Sequence, residues 1–398
     1  MTIQDDPGST SPAQVSPSRA VRSRRRLVLT VLLPVLAFAA AAHASTLNAT
    51  TGTLAKVLSA ARPGDTVALS GAFQDVTISG RSFSPALNIA CADPAHPATV
   101  RSLVIKEVAG LHMSCVSVAF TPDEKTVSFS SAVSIEKSSD ISLTGMKIVG
   151  GPAVSGVPEE APATDKTGNV IGRPTGRGMT ISYSHDVTLS DSEVAFFHRG
   201  LVLVTVEKVT VRHNDFHDRR TTAISGANLT DVVIDRNMIR ASLPWRFAQT
   251  PVGDHADCLA FWSDAKQTTP NARVSITNNR MEQLSGATIL GMWFQGTPAA
   301  PFTDINISGN TFVIPNAQGI ALFNTIGGVV EKNILIQAPV VGVDPKQRPT
   351  ILLRAGVTGV ALRANRVSQP ISDKSGGDNP STGNVVMTGD VKIPPREA

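Results

Sequence analysis

From about residue 130 onward, apolar and polar positions alternate in short runs, and the runs recur. DVTLSDSEV (186–194), KVTVRHNDF (208–216), DVVIDRNMI (231–239), RVSITNNRM (273–281), DINISGNTF (304–312), GVVEKNILI (328–336) and GVALRANRV (359–367) share one pattern. An alternating strand leads into two polar residues, an Asn or Asp, a spacer and an apolar residue. The polar mark falls at Asp191, Asn214, Asn237, Asn279, Asn310, Asn333 and Asn365. Three gaps are 23 residues, and the others (42, 31 and 32) fit the same unit with insertions of 19, 8 and 9. A second strand precedes the first in each unit, as in GMTISYS (178–184), GLVLVTV (200–206), CLAFWS (258–263) and ATILGMW (287–293).

A period in the twenties with alternating strands predicts a solenoid. No helix fits between the strands and the spacing of a leucine-rich repeat is absent, so the expected fold is all-β: a single-stranded parallel β-helix. The recurring Asn predicts an amide ladder that satisfies the buried bend of each rung. With rungs ~4.8 Å apart, about ten rungs extend over roughly 45–50 Å. The upstream strands should align as one long sheet. If Leu259 and Phe261 face its core, Cys258, Ala260 and Trp262 face out.

The ends depart from the repeat. In TLAKVLSAA (53–61), Leu54, Val57, Leu58 and Ala61 share one helical face, which predicts an N-terminal capping helix over the open end of the coil. Residues 371–398, rich in Gly, Pro, Ser and Asp, read as a C-terminal tail or cap beyond a β-helix spanning 45–370. Residues 1–44 read as a signal peptide: SRRR, an apolar stretch LVLTVLLPVLAFAAAA, then Ala42-His43-Ala44 as a cleavage pattern. SRRRLVL is close to a twin-arginine signal. The expected destination is the periplasm or the medium, with no stable membrane span after cleavage.

Removing that leader changes the charge picture. Its five arginines and two aspartates account for most of the basic excess, so the net charge drops from +4 to +1. The basic balance is thus no argument for a nucleic-acid partner. Apolar residues make up 41% of the chain but aromatics only 5%, with Tyr183 the single tyrosine, so the core must be built from Val, Ile, Leu and Ala. Of three cysteines, Cys91 and Cys115 are close enough in sequence to bridge if their positions stack.

Candidate chemistry gathers where the chain enters the upstream strands. Successive rungs bring His198-Arg199, then His217, Asp218, Arg219 and Arg220, then His255 and Asp257 in GDHADCLAFW. Such a set suits proton abstraction beside a carboxylate. Arg199, Arg219 or Arg220 would neutralise the acid group. His255 or His217 would serve as base, with His198 nearby. Asp257 would orient His255, or join Asp218 as a ligand for Ca2+. Tyr183 is a spare acid. Long insertions at 152–175 and 241–254 would wall a groove, and Trp245, Arg246 and Trp262 would bind sugar rings. Hydrolysis ranks lower because it wants two carboxylates. Stacked Arg–Asp ladders and capped histidines are the purely structural alternative.

GDHADCLAFW, the following SDAKQTTPNARVSITNN and NDFHD (214–218) resemble a group of secreted bacterial right-handed parallel β-helix repeat proteins. TLAKVLSAARPGDTVALSG resembles the N-terminal cap and first coil of polysaccharide lyases of the chondroitinase B and alginate lyase type. Ala260 stands where that group carries a Gln. The resemblance covers roughly residues 46–370 and implies a right-handed coil. The expectation is an exported monomer acting on a uronate-containing polysaccharide by β-elimination or C5-epimerisation. The alternative is a non-catalytic β-helix scaffold that binds a glycan or a partner protein.

Overall fold

The structure is a computed structural model that describes residues 44–153, 173–244, 254–264, 266–285, 288–340, 346–388 and 391–395. The leader predicted over 1–44 lies, apart from Ala44, outside the described residues. So do Trp245 and Arg246 and most of both long insertions.

The chain winds as a right-handed parallel β-helix. Each rung contributes to three sheets. One rung shows the plan: Asp257–Trp262 lies in sheet 1, Asn271–Thr277 in sheet 2 and Arg280–Glu282 in sheet 3. Among the described residues the strands pair in parallel, rung to rung. In several rungs sheets 1 and 2 are one bent strand, as in Arg177–Ser190, Arg199–Arg212 and Ile224–Asp235. The bend is made by paired left-handed residues such as Thr205 and Lys208, which turn the strand without breaking its register. Sheet 3 is the part that the periodicity showed least clearly, because its strands are mostly three or four residues long.

Apolar side chains stack in columns inside the coil. Leu201, Ile224, Leu259, Met292, Ile320 and Ile351 form one such column, in register and fully buried. Phe261, Phe294 and Phe302 pack ring on ring, with centroids 5.3 and 5.1 Å apart. At the mouth of sheet 1 the residues are small: Gly200, Ala223, Cys258, Gly291 and Gly319. A methyl at Gly291 would sit 2.0 Å from the Gly319 carbonyl oxygen, so the neighbouring backbone leaves no room for a side chain. Cys258 belongs to this column. It is buried, not outward-facing as strict alternation predicts, and burial pushes its thiol up to about 12.

The amide ladder is present. The Oδ1 of Asn310 accepts from the backbone N–H of Asn279 (2.9 Å) and from its Nδ2 (3.0 Å). Asn333 does the same for Asn310, and Asn365 for Asn333. The residue before each Asn is left-handed, including Arg236, Asn278 and Gly309. This corrects one mark: Asp191 is the left-handed bend residue, and Ser192 holds the ladder position, its N–H donating to Asn214. A second correction concerns the C-terminus. The coil does not stop at 370: Asn384 extends the ladder and Val385–Val386 extends sheet 3. The chain then returns along the coil, and the Pro394 carbonyl accepts from Arg280.

The helix Leu54–Ala60 forms at the N-terminal end, with Leu54 buried and Val57 and Leu58 packed against the core. The Arg81 guanidinium donates to the carbonyls of Leu58 and Ala61, satisfying the helix end. Cys91 and Cys115 are disulfide-bonded, with Cα atoms 5.4 Å apart.

Replacing Asn310 leaves the buried Asn279 N–H without its side-chain acceptor and removes the side-chain donor to the Ile276 carbonyl. Asn310→Ala is expected to lower the unfolding free energy by at least about 2 kcal/mol in denaturant titration. Asn306→Ala, on the outer side of sheet 2, is expected to cost about 1 kcal/mol or less. Equal losses would contradict the ladder's role.

Candidate functional site

Register decides what meets at the mouth of sheet 1. Arg199 pairs with Arg177 on the preceding rung. Leu201 pairs with Ile224, and Ile224 with Leu259. Two residues before each of these stand Arg199, Thr222 and Asp257. Arg177, Arg199, Thr222 and Asp257 therefore form one column along the axis, with Arg199 and Asp257 two rungs, or about 10 Å, apart.

Asp257 is the buried member, its side chain 5% exposed. Its Oδ2 is 3.0 Å from the Nδ1 of His255, whose own side chain is 69% exposed. Asp257 also interacts electrostatically with Arg199 at the surface and with Arg219 inside the coil. The Asp257 contact orients the imidazole through its Nδ1. Trp293 stands edge-on to His255, ring centroids 6.3 Å apart at 88°.

Arg177 and Arg199 are half-buried, and each has a buried Nε with no hydrogen-bond partner among the described residues. No ion pair engages either guanidinium there. Burial lowers the pKa of both, and for Arg177 the neighbouring Arg199 adds to it. These two adjacent, partly desolvated guanidiniums have one carboxylate, Asp257, acting on Arg199, and together they form an electrostatic demand for a further anion.

Next to this column lies a buried ion pair. Arg220 grips Asp254 with two hydrogen bonds, 2.8 Å from Nε and 2.7 Å from Nη2. His198 Nε2 lies 4.0 Å from Asp254, and its side chain is 16% exposed. Burial drives the His198 pKa down to about 3, helped by Arg220, Arg199 and Arg177 and opposed by a backbone contact from Ser128. His198 is therefore a neutral imidazole at any physiological pH and no source of protons.

Several expected residues fall elsewhere. His217 sits in sheet 3, clamped between Asp218 (2.6 Å) and Glu193 (3.4 Å). Arg219 is 1% exposed and points into the coil, where it donates to the Arg240 carbonyl and neighbours Cys258; it cannot touch a ligand. Tyr183 is 60% exposed at the bend between sheets 1 and 2, six residues and about 20 Å along the strand from Arg177. It is no acid for this site. Asp218 and Asp257 each hold a different histidine, and no group of three His, Cys, Asp or Glu among the described residues is arranged for a metal ion. Trp262 is half-buried on the outer face of sheet 1, as parity predicts.

No family model matches the chain, and no curated protein matches it. Among solved structures, it resembles the Dettilon tailspike protein, with a TM-score of 0.55 at 14% identity over 84% of this chain and 61% of that one. The chain thus spans less than two thirds of the tailspike. It is also similar to pectate lyase Pel9A, with a TM-score of 0.46, 9% identity, and 85% and 80% of the two chains covered. A third similarity is to the A-module of the Azotobacter vinelandii mannuronan C-5 epimerase, with a TM-score of 0.42, 13% identity, and 79% and 71% covered. At these identities the likeness is one of fold, and the fold is the right-handed parallel β-helix.

The His198 environment sets a pH dependence. Folding keeps this imidazole neutral down to about pH 3, while the unfolded chain protonates it near 6.5. Between those values the unfolded state binds more protons, so this contribution to stability is full above 6.5 and falls as the pH drops. His198→Asn is expected to show a shallower loss of stability between pH 7 and pH 4 than the parent, measured by denaturant midpoints. Equal slopes would mean that His198 is not held neutral.

Proposed function

We propose that the mouth of sheet 1 binds an acidic polysaccharide outside the cytoplasm and abstracts the proton next to a uronate carboxyl, giving β-elimination or C5-epimerisation. Arg199 and Arg177 neutralise the sugar carboxylate, which makes the neighbouring C–H acidic. His255, oriented by Asp257, takes that proton. In elimination the electron pair forms the C4–C5 double bond as the C4–O4 bond breaks, and the leaving oxygen takes its proton from solvent. In epimerisation a proton returns to the opposite face of C5. The observation that carries this reading is the exposed His255 held by a buried carboxylate that shares a column with two half-buried arginines, each with a buried Nε lacking a hydrogen-bond partner among the described residues.

A second reading, a glycan-binding scaffold without turnover, has one observation in its favour. His217, Arg220 and Arg219 are each engaged in separate internal contacts rather than facing one groove.

Incubation with a panel of uronate polymers separates the two. Elimination produces the ultraviolet absorbance of an unsaturated uronate, and epimerisation exchanges the C5 proton with deuterated solvent. His255→Ala is expected to lower either rate roughly 10²–10⁴-fold. Arg199→Ala is expected to weaken binding of the polymer as well. If no polymer gives either signal while the parent still binds one, the scaffold reading replaces the enzyme.

A further inference from the structure

Beyond the charged column, the outer face of sheet 1 changes character. Val202, Ser225 and Ala227 face outward on the N-terminal rungs, yet all three are buried. From the Asp257 rung onward the same face carries half-buried aromatics: Trp262, Trp293 and Phe323. Trp293 has Ala260 and Ala321 as its register partners, so no bulky neighbour flanks it in its own column. In the adjacent column Trp262 pairs with Gln295, and Gln295 with Phe323. The Trp293 and Phe323 rings lie 5.0 Å apart, tilted by 30°. Trp293 Nε1 donates to Gln295 Oε1 at 3.2 Å, which fixes the indole plane. The two strands that bear these rings, LGMWFQ and QGIALF, hold no charged residue.

We infer that Trp293 and Phe323, bordered by Trp262, form a subsite that stacks an uncharged pyranose ring. The inference rests on the proposed reading of the Arg199–His255 column and names its substrate class. An indole face is electron-rich and apolar, and it matches the C–H face of a pyranose better than it matches a carboxylate. Trp293 is one rung, about 5 Å, beyond Asp257 along the axis and three residues, about 10 Å, farther along the strand, while Arg199 is two rungs on the other side. A saccharide crossing the rungs obliquely would therefore place its carboxylate over the arginines and a neutral ring over the aromatic ledge. The ligand is a heteropolysaccharide in which an acidic sugar has a neutral neighbour, rather than a uronate homopolymer.

The test compares three oligosaccharides of equal length by calorimetry: one alternating uronate with N-acetylhexosamine, one made of uronate alone, and a neutral glucan. The parent is expected to bind the alternating sugar about tenfold more tightly than the uronate-only one, the scale of one aromatic stacking contact. Trp293→Ala should erase that preference without changing uronate-only binding, and Trp293→Tyr should restore part of it. The same preference should persist in His255→Ala, where turnover is lost. Preference for the alternating sugar without any turnover would overturn the proposed reaction and leave the ledge standing. Equal or weaker binding of the alternating sugar in the parent, or an unchanged preference in Trp293→Ala, would overturn the ledge.

Discussion

Stacking identical bends is the constraint on which this molecule depends. A coil that turns three times per rung buries backbone donors at each turn, and each needs a partner. Asn214, Asn237, Asn279, Asn310, Asn333, Asn365 and Asn384 meet that need at one turn, each accepting at Oδ1 from the backbone N–H of the ladder residue on the rung before. The ladder also fixes register, because a one-residue slip would move the amide out of reach and reverse every face of the strands that follow. Everything presented on sheet 1 inherits its position from that lock.

The consequence for the site is a separation of tasks along the axis. Guanidiniums from two rungs stand at one end, a buried carboxylate holding an exposed imidazole in the middle, and a pair of aromatic rings at the other end. Asp257 is electrostatically coupled to Arg219 within the coil and Arg199 at its surface. Arg219 thereby gains a role that its burial hides: it places positive charge behind the carboxylate that orients His255. Arg220 and Asp254 do comparable work for each other, a bidentate pair beside the column. Burying so many charges costs stability, and the apolar columns beneath must offset that.

Much of this was legible before any coordinates. The 23-residue period gave the coil, alternation gave the inward faces of Leu259 and Phe261, and the apolar face of 53–61 gave the cap. The bridge between Cys91 and Cys115 needed only that their positions stack. Failures concentrate where the chain turns. Asp191 and Ser192 are both polar, and only the left-handed bend at Asp191 shows that Ser192 holds the ladder position. Arg219 and Cys258 lie at the mouth of sheet 1, where alternation has not yet begun, and both point inward. Arg177, Asp254, Trp293 and Phe323 carry no local signal, because their meaning lies in the lateral neighbour, one rung away, rather than in the sequence neighbour. Aligning the upstream strands column by column would have set Arg177 beside Arg199 and Trp293 beyond Ala260. Tyr183 is on the same strand as Arg177, but that strand carries it to the opposite bend.

The central claim is that the coil sets residues 177 and 199 side by side at the mouth of sheet 1. The most direct measurement is cross-linking of an Arg177→Cys, Arg199→Cys double variant under mild oxidation, read by mass spectrometry of the digested protein. In-register neighbours on parallel strands stand ~4.8 Å apart, within the range a disulfide spans. The account predicts an intramolecular 177–199 bridge that forms in the folded protein and not in denaturant. Thiols that stay free in the folded state, or that bridge only between molecules, would contradict it.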